Sequence, residues 1–186
     1  MRVAPCIVLI STLALFAAAD PELTTFHDKL DAYVKLRKKA TEKVPPLKKS
    51  ATPAEIQQRE QALAEAIRNA RPNAKAGDIL TPEVKPLFNR LLKGALKGPE
   101  NQNTRASIKE GNPKHEKAPG EVSPVIHVNA VYPKNAPLST VPPTLLLTLP
   151  KLPKDIEYRF VGRTLVLRDR ESNLIIDYMK EAAPAT

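Results

Sequence analysis

The chain has 186 residues with 29 basic and 20 acidic side chains, a net charge of +9, 19 prolines, one cysteine and no tryptophan. A lone cysteine, Cys6, excludes an internal disulfide framework and a thiolate metal cage, so stability must come from packing. Four Phe, four Tyr and no Trp give little material for stacking nucleic acid bases or sugars, and the positive balance favours anionic surfaces as partners.

Residues 1–19 read as an export signal. Arg2 precedes an apolar run to Phe16 that is too short to span a bilayer, and Ala17 and Ala19 fit a small-residue cleavage site leaving Asp20 as the new N-terminus. The alternative is an uncleaved anchor. Cys6 lies before the apolar run, so a lipid-modified N-terminal cysteine is not expected. The expected location is periplasmic or extracellular, which argues against nucleic acid as the target.

Three helices are predicted over residues 20–97. In residues 20–43, Leu23, Phe26, Leu30, Tyr33, Val34 and Leu36 recur at helical spacing, and Val44-Pro45-Pro46 ends the run. Thr52-Pro53-Ala54-Glu55 is a capping box that opens a second helix with Ile56, Leu63, Ile67 and Ala70 as its stripe and Pro72 as its stop. Thr81-Pro82-Glu83 opens a third, carrying Val84, Leu87, Phe88, Leu91 and Leu92, with Pro86 either tightening its first turn or delaying its start.

Residues 98–124 mix prolines and glycines with balanced charges and hold few large aliphatics, so a disordered linker is expected. Residues 125–179 read as a small β module. Alternation over 125–132 predicts an extra strand, and the aliphatic run at 144–149 reads as a buried strand. A three-stranded meander follows: Ile156, Tyr158 and Phe160, then Leu165 and Leu167, then Leu174, Ile176 and Tyr178 form its period-two rows. Gly162-Arg163 suits a type II′ turn, and the loop from Asp169 ends at Asn173, a residue tolerant of the left-handed region. Residues 180–186 read as a disordered tail. The predicted fold class is α+β: an N-terminal three-helix segment, a disordered linker and a small C-terminal antiparallel β-meander.

Leu149, Pro150, Leu152 and Pro153, then Glu157, Tyr158, Arg159, Phe160, Val161 and Gly162, then Leu165, Val166 and Leu167, and finally Asn173, Leu174, Ile175, Ile176 and Asp177 together resemble a C-terminal segment of RcnB-like periplasmic proteins. That family is associated with nickel and cobalt homeostasis and, more broadly, with small exported proteins of unassigned role. The resemblance implies a small exported β module. The family's usual glycine before the last strand is Asn173 here, and no His or acidic cluster lies near, so metal handling does not carry over. The helical half is similar to uncharacterised exported bacterial proteins, with no chemistry attached.

The three imidazoles, His27, His115 and His127, include no pair at the i, i+4 spacing of a helical metal site, and Asp28 and Asp31 beside His27 fit a solvated face. No metal or cofactor is expected. There is no G-x-S-x-G elbow, and Ser107, Ser123 and Ser139 lie in connections. Glu157 and Asp177 are the pair to consider across the sheet for hydrolysis, but no catalytic residue is assigned. Two candidate surfaces remain. One is a basic run of Lys35, Arg37, Lys38, Lys39, Lys43, Lys48 and Lys49 against a single acid, Glu42. The other is a partner-accepting sheet edge carrying Tyr158, Phe160, Leu165, Leu167, Ile176 and Tyr178. The expected role is therefore a non-catalytic exported protein that interacts with an envelope protein or has a structural part there. The alternative is electrostatic binding of an anionic envelope surface or polymer, with a small hydrolase or a metal-handling protein behind both.

Overall fold

The computed structural model describes residues 20–97, 102, 106, 126–133 and 143–182. The expected export signal at 1–19, nearly all of the linker at 98–124 and residues 183–186 of the tail lie outside the described residues. The layout is α+β. Helices α1 (Pro21–Thr41), α2 (Pro53–Ala70), α3 (Lys85–Leu96) and the short α4 (Pro143–Thr148) precede strands β1 (Ile156–Val161), β2 (Thr164–Asp169) and β3 (Leu174–Met179).

Local chemistry sets the helix ends. Asp20 caps α1 by accepting the Glu22 amide at 3.0 Å, with Pro21 at the first position where a missing N–H is harmless. In α2 both halves of the capping box form: Thr52 Oγ1 accepts the Glu55 amide, and the Glu55 carboxylate accepts the Thr52 amide. Those bonds hold the Glu55 carboxyl below its usual range. Pro86 delays the third helix, which starts at Lys85 after a turn over 82–84.

The sheet is an antiparallel meander in the order β1-β2-β3. Val161 pairs with Thr164 across Gly162-Arg163, and Gly162 has φ +61°, as the first central residue of a II′ turn requires. Asn173 closes the second loop at φ +55°. One row faces the helices: Ile156, Tyr158, Phe160, Leu165, Leu167, Leu174 and Ile176 join the main core with Phe26, Leu30, Leu63, Ile67, Phe88 and Leu92. Phe88 connects the layers, with its ring centroid 5.0 Å from Phe26 of α1 and 6.1 Å from Tyr158 of β1. The core runs from Phe26 to Ala182 and draws on helices and sheet alike.

Three expectations are corrected. The aliphatic run at 144–149 is mostly helix, not strand: Leu145 and Leu149, four apart, are buried on one face while Leu146 and Leu147 are exposed. A six-residue run is too short for its periodicity to separate the two structures. Residues 126–133 lie along β3 but do not form a strand among the described residues. Asn129 turns at φ +66°, and what remains is a Val131–Leu174 bridge with backbone bonds from the Asn129 amide to the Ile175 carbonyl and from the Tyr132 amide to the Asn173 carbonyl. The third period-two row also breaks. A bulge between Leu167 and Arg168 of β2 sets Ile176 as the extra residue of β3. Asp177 and Met179 therefore share the helix-facing side with Ile176, while Tyr178 packs with Ile175, Val166, Val161 and Tyr132 on the opposite face.

Candidate functional site

The seven residues of the basic run divide into two kinds. Arg37 is not part of a basic surface. It points inward from α1, where its Nε donates to Asp169 Oδ2 at 2.6 Å, its Nη2 reaches Glu171 at 2.7 Å and its Nη1 lies 3.4 Å from Asp155. Asp169 is completely buried and also accepts the Tyr33 hydroxyl at 2.9 Å and the amides of Glu171 and Ser172. Burial pushes the Tyr33 phenol far above its usual range, with the Asp169 charge and hydrogen bond adding to the rise. For Arg37, burial acts to lower the pKa, but the charges of Asp169, Asp155 and Glu171 outweigh it and hold the guanidinium charged. Arg59 of α2 reaches the same Glu171 at 2.7 Å, so the C-terminal half of α1 and the N-terminal half of α2 are clasped to the β2–β3 loop together.

A second carboxylate performs the same service at the other end of the sheet. Asp177, completely buried, accepts the amides of Gly77, Ile79 and Leu80 at 2.7–2.8 Å, and the α2–α3 loop folds around it with Gly77 at φ +91°. Arg71 lies 5.3 Å over the Tyr33 ring and donates to the Ile176 carbonyl. On the sheet's other face Glu157 accepts from Arg159 and Arg168. The Glu157 pKa is raised by burial, but those two hydrogen bonds and charges bring it below the usual carboxylate range. Glu157 and Asp177 thus lie on opposite faces and are not brought together as a hydrolytic pair. His27 is exposed on α1, and among the described residues no group of three or more His, Cys, Asp or Glu is placed to hold a metal ion.

Lys35, Lys38, Lys39, Lys43, Lys48 and Lys49 are all exposed, and none makes an ion pair among the described residues. They occupy the last turns of α1 and the connection to α2. That connection is held in shape: Val44 is buried, Pro45 accepts from Arg59 at 3.0 Å, and the Ala51 amide donates to the Lys48 carbonyl. Beside it is a groove of about 240 Å³ whose lining includes Val44, Pro45, Pro46, Leu47, Gln58 and Ala62. Leu47, 42% exposed, is an apolar side chain set among the lysines. The Pro pair reads first as a helix stop, which hides Leu47 in the sequence, although Lys43-Val44-Pro45-Pro46-Leu47-Lys48-Lys49 is an apolar stretch bracketed by cations.

The expected partner edge is placed differently. Tyr158, Phe160, Leu165, Leu167 and Ile176 are buried under the helices, and Tyr178 is half-buried on the opposite face. The exposed aliphatics near the sheet are instead Val131, 45% exposed beside Leu174, and Leu146 and Leu147 of α4, at 46% and 87% exposure. Among the described residues no helix is long and apolar enough to cross a membrane. Comparison with protein-family models, with curated proteins and with solved structures finds no match to this chain.

Proposed function

We propose that this is a non-catalytic exported protein that attaches to an anionic envelope surface through Lys35, Lys38, Lys39, Lys43, Lys48 and Lys49. One observation carries the reading: the ion pairs among the described residues all use arginine, whereas these six lysines are exposed, make no ion pair there and are gathered between Lys35 and Lys49. An unpaired, hydrated ammonium on a flexible stem suits contact with many anions better than recognition of one. Each contributes about 1 kcal/mol near an anionic surface, within a Debye length of roughly 8 Å at physiological salt.

Co-sedimentation of the chain from Asp20, which retains both hydrophobic clusters, with anionic and with neutral vesicles tests this. Binding should appear on the anionic vesicles alone and weaken as salt rises. Replacing Lys43, Lys48 and Lys49 with Gln should lower it about a hundredfold. Binding that ignores salt or survives the triple substitution would sink the proposal.

A second reading, docking of an envelope protein, is favoured by the exposed Leu146 and Leu147 of α4, the first of which lines a groove with Ile156 to Arg159 of β1. Leu147→Asp should then remove a protein that co-purifies with the tagged chain from its envelope fraction. Recovery of the same proteins with and without the substitution excludes this reading.

A further inference from the structure

Resting on the lysine reading above, we infer that the anionic surface is a lipid bilayer, and that the Pro45-Pro46-Leu47 tip enters the headgroup layer while the lysines around it hold the anionic headgroups. A soluble anionic polymer would satisfy the lysines equally well. It would offer nothing to an apolar side chain placed among them. Leu47 is 42% exposed, Pro45 and Pro46 are exposed beside it, and all three line the groove against α2. Lys43 precedes this tip, and Lys48 and Lys49 follow it directly. Cations at the rim and an apolar centre match the charged headgroups and apolar interior of an anionic bilayer.

The tip is also stiff. Two prolines fix their own φ, Val44 is buried beneath them, and Arg59 holds the Pro45 carbonyl. Little ordering remains to be done on contact, so the apolar contribution is not spent on immobilising the loop. Ile56, 49% exposed on the first turn of α2, lies at the same end of the helical hairpin and adds apolar surface there.

Because the chain has no tryptophan, Leu47→Trp would be its sole indole. The chain from Asp20 with this substitution is titrated with vesicles of phosphatidylglycerol in phosphatidylcholine, with phosphatidylcholine vesicles and with soluble polyphosphate. The expected result is a blue shift on phosphatidylglycerol vesicles, quenched by brominated acyl chains, and no shift with polyphosphate. In parallel, Leu47→Ser should weaken vesicle binding about fivefold, since only the 42% of Leu47 that is exposed is left to bury, and leave polyphosphate affinity unchanged. If anionic vesicles bind through the lysines but the indole stays in water and Leu47→Ser has no effect, the bilayer inference fails while the lysine reading stands. If the Lys43, Lys48 and Lys49 triple substitution leaves vesicle binding intact, the lysine reading fails and the inference with it.

Discussion

Two basic regions of this molecule lie within one helix of each other and do opposite work. Arg37 faces inward, shares the buried Asp169 with Tyr33 and reaches Glu171 with Arg59. One residue on, Lys38 and Lys39 face solvent with no ionic partner among the described residues. The ion pairs described in this fold use arginine throughout. A planar guanidinium can serve several carboxylates at once and tolerates loss of water, while an ammonium is more strongly hydrated. The difference teaches that the count of 29 basic side chains overstates the cationic surface, because arginines are paired with carboxylates, Arg37 and Arg59 among them clasping helices to the β2–β3 loop.

If that division holds, the largest effects should come from the staples. Asp177→Ala removes the acceptor of three loop amides, those of Ile79 and Leu80 in buried contacts, and leaves them unsatisfied. Each orphaned amide costs about 1–3 kcal/mol, so a loss of about 4 kcal/mol in urea unfolding is expected. A loss under about 1 kcal/mol would mean that water replaces the carboxylate and that the α2–α3 loop is not held by it. Next comes Arg37→Ala. It leaves Asp169 buried beside Tyr33 without its cation, and the expected cost is about 3 kcal/mol. Vesicle binding by whatever fraction remains folded should match that of the parent chain. A parallel fall in binding would place Arg37 back in the basic surface and break the comparison.

The sequence made some of this legible and not the rest, for physical reasons. The Thr52–Glu55 cap and the Gly162-Arg163 turn are complete within four residues, so their chemistry is visible in the string. The rows of β1 and β2 are equally local. The bulge at Ile176 leaves no such trace. Leu174, Ile175, Ile176, Tyr178 and Met179 are all large and mostly apolar, so alternation cannot show where a residue is inserted, and the face of Asp177 is decided by amides 97–100 residues away. Arg37 poses the same problem. Its place four residues after Tyr33 and seven after Leu30 puts it on the buried stripe of α1, a local signal that the run of cations hides, but its partners Asp169 and Glu171 lie 132 and 134 residues further on. The basic run is readable as a run, and what Arg37 pairs with required the tertiary fold.

A smaller effect sharpens the inner half of the comparison. Tyr33 stays a neutral donor in the folded chain because its phenol pKa is raised by burial and by Asp169, whereas the unfolded chain ionises near pH 10. A raised folded value means that the stabilisation is fully present below about pH 10 and is lost as pH climbs beyond it. Tyr33→Phe should cost about 1.5 kcal/mol at neutral pH, the hydrogen bond to a charged acceptor, and should make the alkaline fall in stability shallower. Parallel pH–stability curves for the two chains above pH ~10 would show that Tyr33 ionises as readily folded as unfolded.

The smallest effect on stability belongs to the outer half, and it discriminates most. Lys43, Lys48 and Lys49 make no ion pair among the described residues and are exposed, so replacing them with Gln removes no ion pair from the folded state. Their change in stability should stay within about 0.5 kcal/mol. It should if anything be favourable, because it relieves repulsion among neighbouring cations in a chain of net charge +9. The same substitutions are the ones expected to abolish most anionic-surface binding, so a single triple variant separates the two properties. Melting it in urea beside Arg37→Ala places the two on opposite axes: one loses stability and keeps binding, the other keeps stability and loses binding. A triple variant that unfolds early would mean that these lysines are held by carboxylates of the fold, and the line drawn between Arg37 and Lys38 would disappear.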